Sequence, residues 1–480
     1  MTALPDTRAA IAFDNSYARL PGTMHAGVNP TPVAAPHLIM VNAALAQELG
    51  IDPKQLTADI AVGNALPDGA SPIAQAYAGH QFGHFVPQLG DGRAILLGEV
   101  MDRNGRRRDI QLKGAGQTPF SRRGDGRAAL GPVLREYLVS EAMHALGIPT
   151  TRALMAATTG EKVYREAVLP GAVLTRVAAS HIRVGTFQFF AVRRDLESLK
   201  LLIDHVIARH YPSAAMADNP ALALLDAVIA AQAKLVSRWV QVGFIHGVMN
   251  TDNCGIAGET IDYGPCAFMD AYDPATVFSS IDEQGRYAYA NQPAIAQWNL
   301  ARLAETLLSF LHDDRDEAIR IATARIEGFP EIYTQAWLSG FRKKIGLASV
   351  EDSDADLIQS LLDAMQMERA DFTSTFRKLA NGEDVPEIAG WLPKWRERVA
   401  RDPRSAGERQ ALMRSVNPVY VPRNHLVEEM IAAAVERGDY QPFENMIRVL
   451  MNPYAGQAGA GRYAAAPAET VHGYRTFCGT

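Results

Sequence analysis

The chain has 480 residues, of which 48% are hydrophobic and 21% are charged. This length allows two or three domain-sized units, and the composition is that of an ordinary globular protein. The formal net charge of −6 excludes a global positive field for nucleic acid, so we expect no nucleic-acid partner. No apolar run is expected to be long enough to span a bilayer, and no secretory signal is recognisable, so we expect a cytoplasmic protein without a membrane partner.

Patterning along the chain predicts an α+β protein with four regions. Residues 1–75 are rich in Pro, Ala and Asn and are expected to form an N-terminal extension. Residues 76–195 are expected to form a mixed α/β N-terminal lobe that binds nucleotide, and residues 196–453 a mostly helical C-terminal lobe. Residues 454–480 are rich in Gly and Ala and are expected to form a C-terminal tail.

A β-hairpin and a helix are predicted in the N-terminal lobe. Residues 94–100 are strand-like, 102–105 form a turn, and 108–113 alternate again. Residues 134–146 have helical spacing, which ends at Gly147. Further amphipathic helices are predicted at 221–242, 295–311, 354–367 and 426–435.

The most informative segment, 246–253, reads His-Gly-Val-Met-Asn-Thr-Asp-Asn. A short hairpin is expected at 255–260, followed by Asp262. Because hard divalent cations prefer oxygen ligands, Asn253 and Asp262 are candidate ligands for one metal ion. Asn and Asp are also common turn residues, so a surface loop without function is the alternative for this segment taken alone.

The order of four residues along the chain strengthens the metal hypothesis. Lys113 ends a predicted strand, Glu136 lies on the next helix, and Asn253 and Asp262 follow later. Protein kinases show the same order, with a strand Lys that meets phosphate, a helix Glu that positions it, and an Asn and an Asp that bind metal. The sequence therefore predicts a protein-kinase-like fold in which Glu136 holds Lys113 against phosphate.

One position departs from the kinase pattern. The third residue of the kinase catalytic loop is an Asp that accepts the proton of the hydroxyl substrate, and Val248 stands at that place here. Valine cannot accept a proton, so ordinary phosphoryl transfer lacks its usual base. Asp252 is the nearest substitute carboxylate, and its alternative role is to stabilise a turn.

A second group of residues combines glycine with arginine. It comprises the segments 90–93, 114–116 and 122–126, together with Arg176 and Arg183. Glycine lets backbone N–H groups approach phosphate oxygens, and arginine supplies paired donors. No G-x-x-x-x-G-K-[ST] motif is present, which excludes a P-loop NTPase. Each glycine cluster alone is typical of a turn, but their density beside Lys113 favours phosphate binding. For Arg176 and Arg183, an ordinary surface arginine is the alternative.

With these motifs in place, the chain resembles the selenoprotein O family, the kinase-like protein adenylyltransferases also grouped as YdiU-type proteins. The resemblance covers nearly the whole chain and rests on the segments 88–94, 111–122, 246–253, 262–265 and 417–425. It implies that ATP binds in an orientation reversed relative to kinases. AMP would then pass to Ser, Thr or Tyr hydroxyls of proteins, and pyrophosphate would leave. Some members of the family use UTP and Mn²⁺, which makes UMP transfer the variant reaction.

The resemblance also implies roles for individual residues. Asp252 is the implied proton acceptor, and Asn253 and Asp262 are the implied ligands of Mg²⁺ or Mn²⁺. Val248 is then an expected feature of the family. The implied nucleotide contacts are Gly90, Gly92, Arg93, Lys113, Asp125, Gly126, Arg176 and Arg183.

The three cysteines, Cys254, Cys266 and Cys478, are too few for a disulfide framework and form no C-x-x-C zinc motif. Many animal members of the family carry selenocysteine near the C-terminus, and Cys478 lies at the similar place. We hypothesise that Cys478 pairs reversibly with Cys266 as a redox device. A free, inert thiol in the tail is the alternative.

Two other functions remain open from the sequence. One is a true kinase that uses Asp252 as its base, and the other is a non-catalytic scaffold that binds ATP. Val248 argues against the kinase, and the presence of the full set of lysine, glutamate and metal-ligand residues argues against the scaffold. The expected partners are therefore a nucleoside triphosphate and protein substrates of unknown identity.

Overall fold

The computed structural model describes residues 11–467 and 474–476. Within this part, the strands lie mainly in the first 180 residues and helices dominate the rest. The strands are, in chain order, β1 (His25–Gly27), β2 (His37–Val41), β3 (Ile73–Gln75), β4 (Gly79–Gln81), β5 (His84–Val86), β6 (Ala94–Met101), β7 (Arg107–Lys113), β8 (Ala128–Ala129), β9 (Arg152–Tyr164), β10 (Val168–Ala178), β11 (Phe244–Ile245) and β12 (Ala267–Phe268). The expectation of a mixed α and β chain is confirmed.

The α-helices of the described residues alternate with the strands at first and then follow one another. They are α1 (Ala43–Glu48), α2 (Ala58–Val62), α3 (Leu130–Ala145), α4 (Val184–Val192), α5 (Leu196–His210), α6 (Pro220–Gln241), α7 (Gln292–Leu311), α8 (Arg315–Glu327), α9 (Phe329–Lys344), α10 (Asp354–Met367), α11 (Phe372–Asn381), α12 (Leu392–Ala400), α13 (Ala406–Val416), α14 (Asn424–Arg437), α15 (Gln441–Leu450) and α16 (Gly461–Ala464).

Eight strands form one antiparallel sheet in the order β1-β3-β6-β7-β10-β9-β2, with β8 beside β10. The central hairpin of β6 and β7 is the one that the sequence predicts. Strands β1, β2 and β3 lie within residues 1–75, so the region expected to be an extension contributes part of the sheet.

Alternation along β7 places consecutive side chains on opposite faces of the sheet. Leu112 packs into an apolar cluster with residues of α1 and α2 on one face. Lys113 therefore points to the other face, where α3 packs through Leu134 and Leu138. Arg176 on the neighbouring strand β10 is opposite Gln111 in the register, and its side chain meets α3 through Glu136. This geometry brings charged groups of the sheet against α3.

Helix α6 is the long central helix of the second half. It begins at Pro220 after Asn219, whose side chain caps the helix by accepting a 2.9 Å hydrogen bond from the N–H of Leu222. By length and composition α6 could cross a membrane, which corrects the expectation that no apolar run is long enough. In its most apolar window 56% is buried inside the protein, and a core helix passes the same test. It packs against α7 and α9 and leads into β11.

Candidate active site

Two cations and two carboxylates meet between the sheet and α3. Lys113 Nζ donates to Glu136 Oε2 at 2.7 Å and to Asp262 Oδ1 at 2.5 Å. Arg176 binds the same two carboxylates, through Nε to Glu136 and through Nη2 to Asp262 at 2.6 Å. Each cation therefore links α3 to the segment that carries Asp262, and the four charges balance.

Burial and pairing fix the charge states of this group. Burial alone would raise the pKa of Glu136, but Arg176 and Lys113 outweigh it and hold that pKa below its ordinary value. Burial likewise opposes ionisation of Asp262, yet Lys113 and Arg176 hold the pKa of Asp262 well below its ordinary value. Both carboxyls are therefore ionised at neutral pH. The Asp262 side chain is 30% exposed, against 10% or less for the other three, so it is the member most open to a ligand.

The segment before Asp262 is held in place by its neighbours. His246 Nε2 lies 2.9 Å from the carbonyl oxygen of Ile261, and Trp239 Nε1 donates to Thr260 Oγ1 at 2.8 Å. The hairpin expected at 255–260 is instead a turn whose two ends form bridges to other segments. Asp262 itself has a φ of 64°, a left-handed conformation that is uncommon outside glycine and frequent at functional sites.

Asp252 lies on the short 3₁₀ turn Thr251–Asn253 that follows β11. Its carboxylate is almost completely buried, and Gln81 Nε2 donates to Oδ2 at 3.3 Å. Among the described residues, Oδ1 has no hydrogen-bond partner. Burial, with a smaller contribution from the charge of Asp262, raises the pKa of Asp252 to about 6. This carboxylate is therefore more basic than a solvated one, as a general base requires.

Arg183, at the N-terminus of α4, supports the backbone of Asp252. Its Nη1 donates to the Asp252 carbonyl oxygen at 3.3 Å, and its Nε donates to the His181 carbonyl oxygen at 3.0 Å. The guanidinium also stacks over the ring of Tyr77 at 4.2 Å. Arg183 is buried.

A cavity of about 250 Å³ opens beside Asp252. Its wall contains Asp252 together with the predicted nucleotide contacts Gly90, Gly92, Arg93, Asp125 and Gly126. A Cβ at Gly90 would lie 2.3 Å from the Phe120 ring, and one at Gly126 would lie 2.0 Å from the carbonyl oxygen of Gly116. Both glycines also have positive φ values. Gly90 and Gly126 therefore have no room for a side chain.

Asp125 is held at the mouth of this cavity by a residue that the sequence did not single out. Arg165 Nη1 and Nη2 donate to the two carboxylate oxygens of Asp125, each at 2.9 Å. These bonds hold the pKa of Asp125 below its ordinary value. Tyr77, Gln81 and Phe120 also line the cavity without having been predicted.

Only some of the predicted residues line these cavities, and Arg176, Arg183, Asn253 and Asp262 line neither the first cavity nor the one beside it. Lys113 and Glu136 line a second cavity of about 410 Å³, which Arg93 shares with the first one. Asn253 Nδ2 donates to the backbone carbonyl oxygen of Val248 at 3.1 Å. The other polar atom of this side chain, the amide oxygen Oδ1, is the one able to bind a cation. Val248 itself is buried.

Of the two cysteines in the redox hypothesis, the structure describes only Cys266. Cys266 is a buried free thiol, and burial raises its pKa to about 12. Cys478 lies outside the described residues. Thr476 reaches the segment around Cys266, since its Oγ1 donates to the carbonyl oxygen of Pro265 at 2.7 Å.

Residues 7–451 match the family model described as protein adenylyltransferase SelO. Curated proteins named protein nucleotidyltransferase YdiU are similar along almost the whole chain. The protein from Rhizobium rhizogenes is 62% identical, over 98% of this chain and 97% of its own length. Those from Rhizobium meliloti and Bradyrhizobium sp. strain BTAi1 are both 61% identical over 98% of this chain, covering 100% and 99% of their own lengths.

Proposed function

The chain belongs to the family of protein adenylyltransferase SelO, and we propose that its glycine-lined cavity is where AMP passes from ATP to Ser, Thr or Tyr hydroxyls of proteins. UTP is the alternative donor, in which case UMP is transferred. The observation that carries the proposal is the Asp252 carboxylate, which lines this cavity with a raised pKa. Val248, at the place of the kinase base, has no proton-accepting group.

In the proposed reaction, the Asp252 carboxylate accepts the proton of the acceptor hydroxyl. The hydroxyl oxygen forms a bond to the α-phosphorus, the bond from that phosphorus to the bridging oxygen breaks, and pyrophosphate leaves with the electron pair. The contact from Gln81 orients the carboxylate, and the contact from Arg183 fixes the turn that carries it. Family resemblance supports the reversed orientation of ATP that brings the α-phosphate to Asp252.

Cationic groups are proposed to neutralise the phosphates. Arg93 is suited to span them because it lines both adjoining cavities. Lys113 and Arg176 supply further positive charge, held in place by Glu136. Gly90, Gly92 and Gly126 supply a backbone that phosphate oxygens can approach closely.

The proposed metal ligands fit an ion that binds together with the nucleotide. Asp262 offers an ionised, partly exposed carboxylate and Asn253 an amide oxygen, which suits Mg²⁺ or Mn²⁺ when phosphate and water supply the other ligands. Among the described residues, no group of three or more His, Cys, Asp or Glu is arranged to hold a metal alone. When bound, the ion would stabilise negative charge that develops on the phosphates.

The architecture is proposed to be kinase-like, with the sheet and α3 as one lobe and the helices from α5 onward as the other. The pairing of a strand lysine with a helix glutamate supports this interpretation. The limits 76–195 and 196–453 are proposed for the two lobes, with β1, β2 and β3 from residues 1–75 added to the sheet of the first lobe. A cytoplasmic location where ATP is available is part of the same proposal.

The redox pairing of Cys266 with Cys478 is also proposed. Support comes from Thr476, which precedes Cys478 by two residues in sequence and contacts Pro265. Thiol counting and peptide mapping with and without oxidant test the pairing, with Cys254 as the internal control. A Cys266 that stays reduced under oxidant while Cys478 reacts would refute it.

Labelled ATP tests the proposed function directly. The purified protein is incubated with Mg²⁺ or Mn²⁺ and a mixture of cytoplasmic proteins, using ATP that is labelled in either the α- or the γ-phosphate. We expect protein-bound label from the α-phosphate only, and its incorporation should be slower by about 100-fold or more with Asp252→Asn. Incorporation of γ-label would establish a kinase instead, and incorporation of neither would favour a scaffold. A parallel reaction with α-labelled UTP decides the nucleotide.

A further inference from the structure

A third cavity of the protein has a volume of about 640 Å³. It is formed where the C-terminal ends of α3, α6 and α9 meet, and Ser415 and Tyr454 complete its wall. None of its lining residues lines the two cavities around Asp252 and Lys113. It is therefore a separate concave site of the size that small ligands occupy.

The lining of this cavity is strongly one-sided in charge. It includes Lys234 and Arg238 from α6 and Lys343 and Lys344 from α9, and no Asp or Glu among the described residues lines it. The whole chain has 53 acidic residues against 47 basic ones, so a described lining with four basic side chains and no carboxylate departs from the general balance. The described lining therefore carries a net positive charge.

Two of the four cations are fixed by neutral oxygens. Arg238 Nη1 donates to the carbonyl oxygen of Gly147 at the end of α3. Lys344 Nζ, which is buried, donates to Asn417 Oδ1 at 2.8 Å. Lys234 and Lys343 are exposed, and their ammonium groups have no hydrogen bond or ion pair with any residue that the structure describes. The cavity thus contains two basic side chains that are held by neutral oxygens and two exposed lysines whose ammonium groups are not held.

Helix ends explain only part of this arrangement. The negative ends of α6 and α9 favour basic residues in their last turns, which accounts for Arg238 and Lys343. Lys234 lies about two turns before the end of α6, beyond the range of that effect. Helix ends also do not require Lys344 to be buried, where its charge is costly.

We propose that this cavity binds a compact, multiply phosphorylated small molecule. Arginine and lysine are the side chains that recognise phosphate, the first through paired donors and the second as a point charge. Burial lowers the pKa of Lys344 to about 7, so a bound phosphate would restore its charge and gain a buried partner. The depth of Lys344 favours a small anion over an acidic protein segment, which would reach only the edge.

Residue-resolved lysine acetylation tests the proposal, with inorganic tripolyphosphate as the probe and EDTA present to remove divalent metal. We expect tripolyphosphate to slow acetylation of Lys234 and Lys343 severalfold, at concentrations that leave the exposed Lys394 unaffected. Because each lysine is read separately, any protection of Lys113 in the catalytic region is reported independently. Unchanged rates at Lys234 and Lys343 at saturating probe would overturn the proposal, as would protection by polyglutamate but not by tripolyphosphate.

A charge-reversed variant supplies the second test. Lys234→Glu combined with Lys343→Glu changes two exposed side chains, so the fold should persist, and circular dichroism checks this. Loss of two charged contacts should weaken tripolyphosphate binding by about tenfold or more. The matched control is Lys394→Glu, which makes the same kind of charge change on α12. If this control weakens binding as much as the double variant, the effect is a general loss of positive charge and the site is refuted.

Discussion

The Lys113 ammonium and the Asp262 carboxylate, 149 residues apart in the sequence, form an ion pair of 2.5 Å. They are the residues proposed to meet phosphate and to bind metal, and here they neutralise each other. Arg176 shares the same Asp262 oxygen at 2.6 Å. Under the proposed function, phosphate that binds to the cations releases Asp262 for the metal, so nucleotide and metal should bind cooperatively.

Replacing Asp262 should therefore remove the metal dependence of transfer. In Asp262→Ala we expect AMP transfer to fall by about 100-fold or more with either Mg²⁺ or Mn²⁺, because charge stabilisation worth several kcal/mol is lost. Transfer of α-label over a series of metal concentrations measures the effect. Asp273→Ala is the control, since Asp273 is an exposed carboxylate on the following segment. A wild-type rate in Asp262→Ala would contradict the assignment of this metal ligand.

Asp252 should matter for the chemical step and not for nucleotide binding. Asp252→Asn keeps the shape of the side chain but removes the proton acceptor, which should slow transfer by about 10²- to 10⁴-fold. Single-turnover rates and equilibrium binding of ATP separate the two effects. We expect the rate constant to fall while affinity changes little. A loss of ATP affinity as large as the loss of rate would instead assign Asp252 to nucleotide binding. Asp313→Asn, on an exposed loop, is the control for the change of charge.

The sequence predicted those elements whose local pattern is strong. The strands expected at 94–100 and 108–113 are β6 and β7, and the helix expected at 354–367 is α10 with the same bounds. The alternation of the strands, the turn between them and the apolar stripe of the helix are all contained within each segment. The relative order of Lys113 and Glu136 is likewise visible in the sequence.

The rest of the site could not be predicted because it depends on contacts between distant residues. Gln81 reaches Asp252 across 171 residues, and Arg165 pairs with Asp125 across 40. Nothing in the local sequence of Gln81 or Arg165 separates it from a surface residue. Strand β1 has three residues, too few for alternation to be recognised, which is why its region was expected to be an extension.

Two glycines of similar conformation can test whether the cavity beside Asp252 requires backbone without side chains. Gly126 has a φ of 67° and Gly105 a φ of 72°, so alanine at either position carries the same left-handed strain of about 1 kcal/mol. Gly105 has open space around it, whereas a Cβ at Gly126 would meet the Gly116 carbonyl oxygen at 2.0 Å. Gly126→Ala should therefore also displace the backbone of Gly126 or Gly116 beside the proposed nucleotide cavity.

For Gly126→Ala we expect weaker ATP binding and slower transfer, together with a larger loss of thermal stability than in Gly105→Ala. ATP affinity and unfolding temperature measure both effects. The Gly105→Ala variant isolates the strain alone and should bind ATP normally. Equal ATP affinity in the two variants would show that the nucleotide does not approach the backbone at Gly126.

The buried Lys344 should leave a signature in the pH dependence of stability. Desolvation lowers its pKa from an ordinary 10.5 to about 7, although the rings of Phe376 and Phe372, 4.0 and 5.4 Å from Nζ, favour the charged form. Between these pH values the unfolded chain binds a proton that the folded chain does not. The free energy of unfolding should therefore rise with pH between about 7 and 10.5. The destabilisation caused by burying a charged Lys344 should be fully present below pH 7.

Lys344→Met should remove this contribution. The free energy of unfolding of the wild type, minus that of the variant, should increase from pH 7 to pH 10 by an amount on the order of a few kcal/mol. Urea denaturation at several pH values measures the difference, and it cancels the titration of groups common to both proteins. Lys394→Met, at an exposed position, should show no such slope. A pH-independent difference for Lys344→Met would mean that the folded protein keeps Lys344 charged throughout, with water or an anion reaching its ammonium group.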